Sequence, residues 1–323
     1  MIGMVGNGIL AGFALLLVTG TAWAQPAPVD SEAPAQAATA QVEPQVFASP
    51  EAGFAALAEA LARHDERRLL QILGEAGRRL VRSGDPVADR ATRDRFTTAY
   101  AAKNAIERPT PQRALLVIGE DEWPLPIPMI QRGRGWRFDA RQGGQEILDR
   151  LIGRNELDTI KTLRALAEAQ AEYARGAGRS GAFRSYARRF FSTPGQRDGL
   201  YWATGEGEPP SPLGPLAAAA SAGGYGVRQA NDRPQPFQGY LFRMLEAQGP
   251  AAPGGEIDYM VSNRMIGGFA VLAIPAQYGV SGIQSFLVSH HGTVYQRDLG
   301  PQTARLAGQI RRFDPEPGWV TVP

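Results

Sequence analysis

The sequence predicts an α+β protein in two parts, each a set of helices combined with an antiparallel sheet. Three observations carry that prediction. Apolar residues recur at helical spacing from Glu146 to Arg175. Short apolar or alternating runs lie between Gly239 and Gly300, divided by Gly- and Pro-marked turns. Between residues 47 and 140, helical patterns precede a strand and a hairpin. Helices and antiparallel strands that segregate along a chain in this way define the α+β class.

The 323 residues suit two domains, and 43% hydrophobic with 20% charged residues is an ordinary globular balance. Net charge is +2 and the basic residues are scattered, so nothing marks a nucleic-acid interface. The absence of Cys excludes disulfides, thiolate metal sites and cysteine nucleophiles. Residues 1–24 read as a signal peptide. An apolar run from Ile9 to Val18 precedes Ala22-Trp23-Ala24, a small-x-small cleavage pattern, although no Lys or Arg lies before the run. No later stretch reaches the roughly 18 apolar residues of a membrane helix. An exported protein is expected, periplasmic or secreted, with no membrane span after signal cleavage. Gln25 to Val46, rich in Ala, Pro and Gln, reads as a disordered linker.

In the first domain, residues 47–140, Ser49-Pro50 opens a helix with Phe54, Leu57, Ala58 and Leu61 on one face, ending at His64-Asp65. Leu69, Leu70, Ile72 and Leu73 form a short apolar patch. Ser83-Gly84-Asp85-Pro86 is a turn with an Asp placed to cap, before a helix from Asp89 to Lys103. Ala114 to Gly119 is a strand. The prolines at 124, 126 and 128 demand an edge or extended segment. Met129–Gln131 and Trp136–Asp139 flank a hairpin turn. In the second domain, residues 141–323, the long helix is expected to break or kink at Gly153 and to end at Gly176-Ala-Gly178. Ser192 to Trp202 reads as a loop and Leu216–Ser221 as a small-residue helix, followed by a loop over residues 223–238. The strands are Tyr240–Leu245, Phe269–Ile274, Ser285–Ser289 and Thr293–Gln296, of which the nearly all-apolar second is central. A short helix from Thr303 to Phe313 and an extended tail with Trp319 follow.

The first domain resembles NTF2-like folds in the order of its elements. The pattern Asn155-Glu156-x-x-x-Ile160 with Leu163-Arg164 and Ala169-Gln170-Ala171-x-Tyr173 resembles the soluble half of the long helix in type IV pilins and pseudopilins. Gly239-Tyr-x-Phe-Arg243, Ala273-x-Pro275, Gly282-x-x-x-Phe286 and Gly292-x-Val294 resemble the sheet of that family. The resemblance implies one long helix packed on an antiparallel sheet. A wider set covers roughly 47–319: Ser83-Gly-Asp-Pro86, Gly119-Glu-Asp-x-Trp-Pro124, Gly153-Arg-Asn-Glu156, Ser192-Thr-Pro-Gly195, Arg197-Asp-Gly-Leu-Tyr-Trp202, Ser211-Pro-Leu-Gly214, Met265-Ile-Gly-Gly-Phe269 and Arg297-Asp-Leu-Gly300. It resembles the DUF2950 family of exported bacterial proteins and implies export and a two-part architecture, with no activity attached.

Several groups are candidate site residues. Ser192, Thr193, Arg197, Asp198, Tyr201 and Trp202 combine hydroxyls, a guanidinium fork, a carboxylate and two aromatics. That set suits a peptide or glycan, since Arg forks and aromatic faces dominate recognition surfaces. Ser-Thr-Pro-Gly also makes an ordinary turn, and a Ser192 nucleophile would need a base in a chain with three His. Asp121 and Glu122, beside Trp123, form an acidic turn without the spaced carboxylates of a calcium loop. Glu156 reads either as a buried acid or as a cap for backbone amides, with Arg154 near to neutralise it. His290 and His291 are neighbours whose side chains on a strand would point to opposite faces. No cofactor or metal is expected. The reading that follows is a non-enzymatic binding or envelope-assembly module whose partner is an envelope protein or polymer. The alternative is a hydrolase using Asp121, Glu122, Asp198 or Glu156 on an envelope polymer.

Overall fold

Side-chain caps fix where the first helices begin. Ser49 accepts from the Ala52 amide at the start of α1 (Pro50–Ala62), and Asp65 from Arg68 at the start of α2 (Glu66–Leu73). After α3 (Arg78–Val81), Asp85 accepts from Val87 and Ala88 and opens α4 (Pro86–Ala102). Pro86 in the first turn lets α4 start three residues before the Asp89 expected from apolar periodicity. These elements belong to a computed structural model that describes residues 42–226 and 234–322. The signal-peptide reading, most of the linker and part of the loop expected over 223–238 lie outside the described residues. The last residues assigned to the disordered linker are docked: the Gln45 amide donates to Gln71 and the Val42 carbonyl accepts from Glu75.

The first sheet comprises β1 (Asn104–Thr110), β2 (Arg113–Ile118), β3 (Trp123–Pro124), β4 (Met129–Arg132) and β5 (Gly135–Phe138), ordered β1-β2-β4-β5 with β3 against the end of β2. The edge strand β1 was not expected, because its mostly exposed residues carry no alternation. The interior is filled by Phe54, Leu116, Met129 and Phe138, with Phe54 edge-on to Phe138 at 5.4 Å.

Helix α5 (Gly144–Arg175) runs unbroken through Gly153. Gly153 is exposed, and its cost of about 1 kcal/mol in a helix is small against the buried residues on either side. Two details correct the sequence pattern. Leu157 points outward, 61% exposed, while Asn155, Thr159, Thr162 and Gln170 occupy the buried stripe. Helix α5 thereby joins two hydrophobic clusters, one centred on the first sheet and one on the last.

Beyond α5 lie a hairpin, β6 (Arg179–Ser180) and β7 (Phe183–Arg184), then β8 (Arg189–Phe191), which pairs in parallel with β9 (Gly199–Tyr201). The expected loop at 192–202 thus ends in a strand. Helix α6 (Gly214–Ala222) and β10 (Tyr240–Leu245) follow. Two small ribbons come next, β11 (Ala247–Gln248) with β12 (Ile257–Asp258) and β13 (Met260–Val261) with β14 (Arg264–Met265). The chain closes with β15 (Ala270–Pro275), β16 (Gln284–Ser289), β17 (Val294–Asp298), α7 (Thr303–Gln309) and β18 (Val320–Thr321). The last sheet is antiparallel in the order β10-β15-β16-β17-β18. Its register sets Phe242, Ala273 and Phe286 in one row and Arg243, Leu272, Leu287 and Tyr295 in the next. Side chains alternate across a sheet, so the first row faces α5 and the second faces α7, whose last turn receives Arg243 through the Ala307 and Ile310 carbonyls.

Residues from distant parts of the chain meet at Asp85, which is 1% exposed. Oδ1 caps α4, and Oδ2 accepts from the Tyr225 hydroxyl and the Gly239 amide, both at 2.8 Å. Gly239 has φ +80°, and a Cβ there would lie 2.5 Å from Asn155 Nδ2. Asn155 donates to the Ser281 carbonyl, and Glu156 accepts from the Ile283 and Gln284 amides, all at 2.9 Å. Asp85→Ala removes a cap and leaves the buried Gly239 amide and the half-buried Tyr225 hydroxyl without an acceptor. With a cap contributing about 1 kcal/mol and the orphaned Gly239 amide costing about 1–3 kcal/mol, stability measured by urea unfolding is expected to fall by about 2–4 kcal/mol. A loss of only about 1 kcal/mol would show that Asp85 acts as a cap alone.

Candidate functional site

The Ser192–Trp202 segment holds itself together. Ser192, which is buried, accepts from the Gly199 amide through Oγ at 3.0 Å. Thr193 donates its amide and hydroxyl to the two oxygens of Asp198, at 2.7 and 2.8 Å, and Arg189 donates to the Thr193 hydroxyl at 3.1 Å. Burial pushes the Asp198 carboxyl up, but the Thr193 hydrogen bonds and Arg189, 3.9 Å away, outweigh it and hold it below the usual range. Arg197 reaches Glu208 at 3.7 Å and lies 5.4 Å over the Trp202 ring, while its carbonyl accepts from the Tyr173 hydroxyl of α5. Ser192, Thr193, Arg197 and Asp198 therefore shape the turn. Tyr201 is delivered by β9 to a surface beyond it.

That surface is a cavity of about 430 Å³. Its floor is α5 at Thr162 and Leu166 and β10 at Phe242 and Met244; its walls are β8, β9, α6 and the chain around Tyr225 and Phe237. Aromatic rings dominate: Phe190, Phe191, Tyr201, Tyr225, Phe237 and Phe242. Phe191 meets Tyr201 edge-on at 6.0 Å and Tyr225 meets Phe237 at 4.9 Å. Among the described residues, the cations at the rim already have partners. Arg188 donates to Glu246 and Asn263, Arg189 to Thr193, and Arg243 to the α7 carbonyls. Tyr201 also borders a second recess, with Trp202, Thr204 and Ser211. Of the residues singled out in the sequence, only Tyr201 and Trp202 reach these recesses.

The remaining carboxylates lie elsewhere. Glu122, an exposed residue with φ +51°, pairs with Lys103 at 2.7 Å just past the end of α4, and Asp121 beside it is exposed. Val87, at the other end of α4, lines the cavity. At 1.5 Å per residue, about 24 Å of helix separates the two sites. Trp123 is half-buried against the first core. Glu156 stands about 25 Å of helix before Tyr173, which touches the Asp198 turn. Its oxygen caps the start of β16, and no ion pair joins it to Arg154 among the described residues. A pair of acid–base carboxylates needs a separation of about 5–9.5 Å; Asp121 and Glu122 are neighbours on one exposed turn, and neither Glu156 nor Asp198 is near the other along α5. His290 and His291 are turn residues. They sit in the turn after Ser289, so their rings lie side by side with centroids 4.2 Å apart. Burial holds His290 below the ordinary imidazole range. Among the described residues, no group of three or more His, Asp or Glu is placed to hold a metal ion.

The cavity residues Phe190, Phe191, Phe237 and Phe242 escaped the sequence reading. Each looks like a core aromatic, and the local signal was Tyr201-Trp202, two aromatics beside hydroxyl and charged groups. The chain matches the DUF2950 family, described as protein of unknown function, over residues 44–322, and belongs to it. No curated protein and no solved structure matches it.

The Asp198 turn has a pH signature. A carboxyl depressed in the folded state contributes stability above its unfolded value, near 4, and loses it as pH falls through the folded value. The Thr193 amide resonance is expected to stay constant from neutral pH to about 4 and to move only below that. A Thr193 amide that titrates above about pH 5 would contradict the assigned bonds.

Proposed function

We propose that this protein is an exported, non-enzymatic binding module that holds its ligand in the aromatic cavity between α5, α6 and β10. The single observation that carries the reading is the cavity itself. It has about 430 Å³ of space, aromatic walls and rim cations already engaged by protein groups. Ligand sites are concave, mostly apolar and of a few hundred Å³. That Asp121, Glu122, Glu156 and Asp198 do not line the cavity favours binding there over hydrolysis. The helix-on-sheet arrangement of α5 with β10 and β15–β18 supports keeping the pilin-like reading for residues 141–323, and the helices with β1–β5 support the NTF2-like reading for 47–140. An envelope location rests on the signal-peptide pattern of residues 1–24. Among the described residues no helix is long and apolar enough to cross a membrane.

The neutral fluorophore Nile red tests the cavity. Saturable binding with enhanced emission is expected. Ala217→Trp places an indole in the space between α6 and β10 and is expected to weaken binding about tenfold or more while thermal unfolding stays close to that of the parent chain. Absent saturation, or binding indifferent to Ala217→Trp, would remove the cavity as the site.

A further inference from the structure

The cavity floor contains main-chain groups as well as rings. Strand β10 ends the last sheet, with β15 on one side. On its other side, among the described residues, the one bridge is Tyr240 with Phe237, which exchange both backbone hydrogen bonds at 3.1 and 2.8 Å. In an antiparallel ladder, alternate residues aim N–H and C=O to the same side. Because Tyr240 points away from β15, so do Phe242 and Met244. The same two residues present their side chains to the cavity and are only half-buried, although they stand on the helix-covered face of the sheet. Two N–H donors and two C=O acceptors therefore lie along the cavity at the spacing of a strand, next to apolar walls.

We infer that the ligand is an extended peptide segment that adds to the β10 edge at Phe242 and Met244 and places an apolar side chain among Phe191, Tyr201 and Phe237. This rests on the cavity reading and deepens it. A purely apolar ligand would cover the Phe242 and Met244 backbone groups without offering them hydrogen-bond partners, which opposes its binding. A peptide main chain supplies the matching acceptors and donors, and its alternating side chains reach the cavity at every second residue. Among the described residues Arg188 pairs with Glu246 and Arg189 with Thr193, so shape and main-chain pairing carry the recognition.

The test uses a library of random nine-residue peptides displayed on phage and panned against the full chain, with Nile red as the competing probe. Enriched peptides are expected to carry β-branched or aromatic residues at alternate positions and, once synthesised, to displace Nile red. N-methylation of two alternate backbone nitrogens in the pairing register is expected to weaken binding about tenfold, and methylation of the two intervening nitrogens to change it less than about twofold. Peptides that displace Nile red with equal sensitivity to methylation at both registers would overturn strand addition. A library yielding no Nile red competitor, while Nile red itself binds, would also overturn it and leave the cavity reading standing. Failure of Nile red and peptides alike would remove both.

Discussion

A buried carboxylate organises this molecule. An ionised carboxyl taken out of water costs several kcal/mol unless donors replace the lost hydration. Asp85 meets that requirement with neutral groups drawn from three places: two amides of the helix it caps, the Tyr225 hydroxyl and the Gly239 amide. The partial positive charge at the start of α4 adds to them. Burial and the nearby Asp85 charge push the Tyr225 phenol well above its ordinary value, so it remains a donor. The demand is mutual. Helix α4 can begin at Pro86 only with Asp85 in place, and Asp85 can be buried only if residues some 140–154 positions later in the chain arrive with their donors aimed at it.

Helix α5 repeats the device along its buried stripe. Asn155 holds the Ser281 carbonyl, Glu156 the amides at the start of β16, and Gln170 both backbone groups of Ala187 at 2.8 Å. Apolar residues would allow α5 to slide on the sheet. These three side chains each match one backbone position, and a slipped register would leave buried groups unsatisfied. Gly239 shows how tight the fit is: it sits in the left-handed region, against Asn155, at the point where the chain enters β10. Edge strand β10 is thereby placed to within a hydrogen bond at one end, and among the described residues the one bridge on its far side is Phe237 with Tyr240.

Local patterning revealed much of this architecture. Caps at Ser49 and Asp85, the hairpin at 129–138, the apolar run of β15 and the period of α5 are local signals, and each marks a real element. Strand β1 carries no such signal, because an edge strand exposed on its faces needs no alternation. Strand β9 reads as loop because three residues are too few to show a period, and tertiary contacts hold it. The polar members of the α5 stripe were legible only in part. Glu156 as a backbone cap was among the readings, yet Gln170 looked like one more position of the helical pattern, because its partner Ala187 is specified by the fold alone. The candidate site was the least legible. Its residues lie on α5, α6, β8, β9 and β10, and an aromatic that lines a cavity is spelled the same way as one that fills a core.

The buried carboxylate and the cavity are connected through one series of contacts. Asp85 fixes Tyr225; Tyr225 meets Phe237 edge-on at 4.9 Å; Phe237 pairs with Tyr240 and stands 6.5 Å from Phe242 on the cavity floor. Ordering side chains on binding costs about 0.5–1.5 kcal/mol for each one immobilised. Rings already held by a saturated buried carboxylate have little of that freedom left to lose. The same junction that joins α4 to the last sheet therefore pre-organises one wall of the cavity, and a ligand arriving there meets rings and strand edge already in position.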